Sequence, residues 1–150
     1  MKFIKLLIDE FLENGEIDYI ILLTHTFKTI LLEFGMDISP VIEKIGNHIG
    51  EYLFTQLNHK ELDIFLKNIS QYWLKNNLGE LSFNISNHIE ITCINCFESK
   101  YAPKIGKPVC YLDKGMLKSL FSMYFNFEIN VEEIMCYAMG DEKCVYQLQP

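Results

Sequence analysis

Hydrophobic positions along this 150-residue chain recur first at helical and then at strand spacing. Apolar residues at 3, 4, 7, 8 and 11 predict an amphipathic helix over 1–13, ended by Asn14-Gly15. A second helix is predicted over 16–34, stopping at Gly35, a residue type favoured just past a helix end. Ser39-Pro40 restarts the pattern, with Ser39 read as N-cap and Pro40 as first helical residue. Val41, Ile42, Ile45, Ile49, Leu53 and Leu57 follow at helical spacing, and Gly46 and Gly50, one turn apart, would let another backbone come close. A fourth helix over about 60–77 gathers Leu62, Phe65, Leu66, Ile69 and Trp73 on one face and closes at Leu78-Gly79. The period then changes to two. Leu81, Phe83 and Ile85, then Ile89, Ile91 and Cys93, alternate with polar residues and predict a hairpin turning near Asn87. A loop over 100–108, a helix over 109–125 and a last hairpin over 130–138 and 144–149 complete the chain. The order α-α-α-α-β-β-α-β-β predicts an α+β domain, with N-terminal helices packed on an antiparallel sheet of about four strands.

Composition narrows the function classes. The net charge is −7, and all 13 basic residues are lysines, so the rigid fork of arginine that grips phosphates and guanine edges is absent. Nucleic-acid binding is not expected. No stretch reaches the ~18–20 apolar residues of a membrane span, and the N-terminus carries acids where a signal peptide would be apolar. A cytoplasmic location is therefore expected, and the five cysteines read as ligands or reactive thiols rather than a disulfide framework. The 11 Phe, 8 Tyr and 1 Trp can fill a core or line an apolar cavity, and composition does not choose between them.

The last hairpin carries the most chemistry. Centred on Gly140, it sets Cys136 opposite Cys144, a pairing that brings Cβ atoms to ~4.5–5.5 Å. Two thiolates there can share a zinc ion or approach disulfide geometry, and two more ligands are needed to close a zinc site. Candidates are Cys110, the Cys93/Cys96 pair and the hairpin acids; His25, His48, His59 and His88 have no ligand-like spacing. Strand alternation puts Glu132 on the face of Cys136, whereas Glu133 would need a bulge to reach it. Cys93-Ile94-Asn95-Cys96 reads as half a zinc ribbon or a redox pair, or Cys93 reads as a small core residue. Three buried thiols without a metal remain an alternative for Cys110, Cys136 and Cys144.

Pro108-Val109-Cys110 followed by Glu133-x-x-Cys136-x-x-x-Gly140-x-x-x-Cys144 resembles the signature of the 4-vinyl reductase (4VR) domain family. Asn95-Cys96-Phe97-Glu98 and the glycine pair Gly46-x-x-x-Gly50 are also similar to stretches of its aromatic-sensing members. The likeness is strong over 93–148, weaker over 40–92 and absent over 1–35. It implies a zinc ion held by Cys110, Glu133, Cys136 and Cys144. With all four positions taken by protein, such an ion reads as structural, tying the helix of 109–125 to the final hairpin. Lys114 and Lys143 are candidates to offset its negative ligands.

The resemblance also implies a fold shared with Golgi transport-particle subunits and haem-based nitric oxide sensors, enclosing an apolar pocket and forming homodimers through N-terminal helices. Residues 1–35 would then supply dimer contacts and 36–150 a ligand-binding domain, in one compact unit. Cys93, Phe97, Leu117, Phe121 and Tyr124 are the expected pocket residues. Cys93 stands about where the phenol sensors carry a ring-binding Trp, so phenol itself is not implied. The leading expectation is a binding or sensory module for a small hydrophobic molecule, not an enzyme. The alternatives are a thiol/zinc redox sensor and an accessory protein or reductase acting on a tetrapyrrole vinyl group. Neither a nucleotide-binding Gly-rich loop nor a nucleophile–base pair is visible for the last.

Overall fold

A computed structural model describes residue 31 and residues 34–150. The predicted helix over 1–13, nearly all of the helix over 16–34 and the dimer contacts expected of them lie outside the described residues. Where description begins, the Met36 N–H donates to the Leu31 carbonyl at 2.9 Å and Gly35 takes φ +73°. This is the hydrogen bond and left-handed glycine of a Schellman helix end, as Gly35 predicts.

The elements are α1 (Ser39–Leu57), α2 (Leu62–Lys75), β1 (Glu80–Ile85), β2 (Ile89–Ile94), α3 (Tyr111–Phe125), β3 (Asn130–Met135) and β4 (Cys144–Gln149). A single 3₁₀ turn, Tyr137–Met139, leads out of β3. The fold is α+β, as the change of period predicts. Ser39 is not the N-cap of α1: Ile38 holds that position, and Ser39 donates its N–H to the Asp37 carboxylate at 3.0 Å. The longer acidic side chain reaches the exposed helix donor from outside, which leaves Ser39 free to take helical geometry.

All strand pairs are antiparallel, in the order β1-β2-β4-β3. The two predicted hairpins therefore join through β2 and β4, and Cys93 is the register partner of Cys144. Helix α2 packs near β1 and α3 near β3, while α1 lies against α3. That helix contact is close because three glycines face it. A Cβ on Gly46, Gly50 or Gly115 would strike the backbone carbonyl of Leu112, Met116 or Glu43 respectively. Between helices and sheet, Phe65, Ile69, Trp73, Ile91, Leu117, Leu120 and Phe121 are fully buried. Among the described residues, no helix is long and apolar enough to cross a membrane.

Candidate metal centre

The sheet, the start of α3 and the turn after β3 deliver four ligand types to one place. Cys110 is the residue before α3, Cys144 opens β4, and Glu133 and Cys136 lie on and just beyond β3. One Sγ or carboxylate oxygen from each lies within 4.8 Å of the others, and all four residues are buried. Cys110 Sγ is 3.8 Å from Cys136 Sγ and 3.7 Å from Cys144 Sγ. Zn–S bonds of ~2.3 Å at tetrahedral angles give an S···S edge of about 3.8 Å, so the thiols stand at the separation one ion would impose.

Simple strand alternation fails at the acid, for a visible reason. Glu133 pairs with Tyr146 but Met135 pairs with Val145, so the register slips by one residue between them. The extra residue, Ile134, turns outward at 38% exposure, and Glu133 and Cys136 thereby come to share the inner side. Glu132 faces out and accepts a hydrogen bond from Gln149 at 3.0 Å. Glu133 Oε2 accepts the Cys110 N–H at 3.0 Å, while its Oε1 is buried with no hydrogen-bond partner. A buried carboxylate oxygen without a donor is costly, and a cation among the thiols would satisfy it.

The protonation pattern follows from this crowding. Burial, and then the charge on Cys136, push the Glu133 carboxyl up to about 9. The Cys136 thiol is drawn down to about 2, chiefly by hydrogen bonds from Cys110 and then Cys144. Burial, followed by those same thiol contacts, holds the Cys110 thiol well above its ordinary range. The cluster thus carries one thiolate among protonated neighbours, and a divalent ion would displace the remaining protons. Polar contacts surround it: the Cys136 N–H donates to Asp141 at 2.8 Å, and Ser99 Oγ lies 3.0 Å from Cys144 Sγ. Of the two lysines expected to offset the charge, Lys114 pairs instead with Glu43 at 3.2 Å. A groove of about 310 Å³ lined by Pro108, Tyr111, Lys114, Val131 and Glu133 gives the Glu133 side a route from solvent.

The expected pocket residues divide. Leu117 and Phe121 are fully buried, with the Phe121 ring 5.8 Å from Phe65 and 6.4 Å from Phe83. Tyr124 stacks on Phe65 at 4.4 Å and donates its hydroxyl to the Lys60 carbonyl. Phe97 is half-buried. Cys93 belongs to a different neighbourhood, converging with Cys96 and Asp113. Asp113 is a site residue that the sequence pattern did not single out, although an acid three residues after Cys110 and one turn into a helix was the available signal. Its Oδ1 accepts the Trp73 indole N–H at 3.0 Å and its Oδ2 the Tyr146 hydroxyl at 3.3 Å.

Known proteins share this geometry's framework. Residues 89–150 match the family model of the vinyl-4-reductase (4VR) domain. The uncharacterized protein MJ1642 of Methanocaldococcus jannaschii is 25% identical over 107 residues, 71% of this chain and 64% of that protein. A second uncharacterized protein of that organism, MJ0745, is 25% identical over 82% of this chain and 66% of its own length. The chain thus spans slightly less than two thirds of each relative.

Among solved structures, a vinyl-4-reductase family protein from the same organism is similar, with TM-score 0.64 and 17% identity. That match covers 97% of this chain and 90% of the other. The phenol-responsive sensory domain of the transcription activator PoxR, solved with phenol, gives TM-score 0.69 at 16% identity, over 85% of this chain and 72% of that one. A trafficking protein particle complex subunit 3 from Naegleria fowleri, covalently bound to palmitic acid, gives 0.63 at 14%, over 85% and 90%. At these identities the structures establish a shared fold. The resemblance to the 4-vinyl reductase domain family therefore holds, and residues 89–150 are the part of the chain that carries the 4VR domain.

Proposed function

We propose that this chain is a binding module for a small hydrophobic molecule, braced by a structural zinc centre at Cys110, Glu133, Cys136 and Cys144. The observation that carries the reading is the convergence of three buried thiols and the unpartnered Glu133 oxygen within 4.8 Å. Zinc bound there supplies a cross-link, and four protein ligands leave it no position for an activated water. Cys110 anchors the start of α3, Glu133 and Cys136 the end of β3, and Cys144 the start of β4. The helix is thereby fixed to two strands.

The ligand-binding half draws on the fold and on the aromatic side of α3. PoxR's sensory domain was solved with phenol and the Naegleria subunit with palmitic acid, so this architecture accepts small apolar molecules. Leu117, Phe121 and Tyr124 of α3, with Phe97 after β2, form the apolar surroundings such a molecule would meet, and Cys93 borders them from β2. The reading includes a homodimer and a cytoplasmic location; five buried free thiols suit a reducing compartment.

Metal analysis of the wild type and Cys136→Ser, paired with thermal melts, tests the zinc centre: metal should be bound by the first and lost from the second. Melts with phenol and with palmitate test the pocket, because a ligand bound only by the folded state raises the midpoint with concentration. No rise with either probe counts against the hydrophobic-ligand reading.

A thiol/zinc redox sensor is the second reading, favoured by Cys110 Sγ lying within 3.8 Å of both hairpin thiols. Peroxide would take two electrons from two cysteine thiols, forming a disulfide and two waters and ejecting the ion. Zinc content unchanged after mild peroxide rules this reading out.

A further inference from the structure

The thiol cluster does not end at the four residues above. Cys93, Cys96 and Asp113 form a second group whose Sγ and carboxylate atoms also lie within 4.8 Å of one another, all buried. Cys96 Sγ is 3.3 Å from Asp113 Oδ2 and 3.5 Å from Cys110 Sγ. We infer that Cys93, Cys96 and Asp113 are a second site for a thiophilic divalent cation, sharing Cys110 with the first site as a bridging thiolate. The bridge rests on the zinc reading above; the second site stands on its own three residues.

Four features favour a built site over incidental packing. Residues three apart at the end of a strand should face opposite sides, yet Cys93 and Cys96 both point inward. The cause is Asn95, which takes the left-handed conformation at φ +56° and turns the chain back. That conformation is held at both ends of the residue: the Asn95 N–H donates to the Tyr137 hydroxyl and its amide to Glu80, each at 3.1 Å. The bulge at Glu133 solves the same problem for the first site, so two backbone irregularities converge on one cluster.

Second, Gly79 is open beside Cys93, where a Cβ would collide with its Sγ. Third, Asp113 is oriented by donors on both oxygens, Trp73 on Oδ1 and Tyr146 on Oδ2. Outer hydrogen bonds of this kind typically aim a ligating carboxylate. Fourth, the edges are right. Zn–S and Zn–O bonds of ~2.3 and ~2.0 Å give a tetrahedral S···O edge of about 3.5 Å and an S···S edge of about 3.8 Å. Cys96 sits near the first distance from Asp113 and near the second from Cys110.

The sheet joins the sites directly, since Cys93 on β2 is the register partner of Cys144 on β4. Binding is an exchange of protons for a cation: the thiols and Asp113 release their protons to solvent as the ion enters. The charge of two such sites is shared by the bridge and by the Trp73, Tyr146 and Ser99 donors at their edges.

The test is a Co²⁺ titration of the metal-depleted full chain without oxygen. Thiolate-to-cobalt absorption follows binding, and metal analysis gives the stoichiometry. Wild type should bind two equivalents, and the cobalt paramagnetic-resonance signal of the first should diminish as the second couples to it through sulfur. Cys96→Ala should bind one. Asp113→Asn keeps the shape of the side chain and guards against misfolding; it should weaken the second step about tenfold or more. One equivalent in wild type, unchanged in Cys96→Ala and lost in Cys136→Ser, overturns this proposal and leaves the zinc reading standing. One equivalent lost in Cys96→Ala but kept in Cys136→Ser does the reverse. No binding at all overturns both.

Discussion

Helix α3 borders two kinds of interior. Around its first turn gather Cys110, Asp113 and, from the sheet, Cys93, Cys96, Glu133, Cys136 and Cys144. Around its later turns gather Leu117, Leu120 and Phe121, with Phe65, Phe83, Tyr124 and Phe125 in ring contact. The aromatic end is held by burial and by edge-on and stacked rings, forces that need no ion and change little with pH. The thiol end places acids and thiols where water cannot reach them, a costly arrangement unless protons or cations accompany them. One helix thus spans a self-sufficient core and a conditional one.

The largest break in that comparison should come from the conditional end. Removing the metal, or making Cys136→Ser, should cost several kcal/mol. At about 2–4 °C per kcal/mol for a chain of this size, the melting midpoint should fall by roughly 10 °C or more. Calorimetry with metal analysis on the same samples checks this, and an unchanged midpoint after chelation contradicts it. At the aromatic end, Phe65→Ala should cost about 3–5 kcal/mol through lost burial and a residual cavity. It should do so with bound metal unaltered, which denaturant melts and metal analysis together would show.

Trp73→Phe lies at the boundary. It removes the indole donor from a fully buried carboxylate, so about 1–3 kcal/mol is expected, with a larger loss at high pH, where Asp113 is more ionised. Urea melts at two pH values separate this from simple loss of ring area.

Acidity should act on the conditional end alone. Glu133, raised to about 9, holds a proton at neutral pH that an entering cation must displace. Metal affinity should therefore rise as pH rises toward 9 and weaken as pH falls, by up to about tenfold per pH unit for each proton released. Glu133→Gln should release one proton fewer, measured with a pH indicator in weakly buffered solution. The smallest effect is expected at the surface. Lys114→Ala breaks a partly exposed pair with Glu43 and should cost about 1 kcal/mol or less.

Much of the architecture was legible because periodicity reports which face of an element is buried. The strands, α2 and α3 fall within a few residues of their predicted spans, and the glycine pair of α1 does mark a close backbone contact. What escaped was local geometry that depends on partners. Asp37 rather than Ser39 receives the first helix donor, a choice set by side-chain reach. Asp113 gave only a weak signal, because an acid in a first helical turn usually faces solvent and favours the helix dipole. Its burial against Trp73 appears only when α2 and α3 meet.

The cysteine pattern by itself determined that Cys136 and Cys144 would face each other across a turn, since hairpin register follows from loop length. It also left two pairs unresolved, Glu133 with Cys136 and Cys93 with Cys96, because residues three apart on a regular strand cannot share a face. Only the tertiary structure decided them. A one-residue slip against β4 turns Glu133 inward, and a left-handed Asn95, held by Tyr137 and Glu80, turns Cys96 back. Both irregularities are fixed by contacts with residues distant in the chain, and no local pattern in a sequence carries that information.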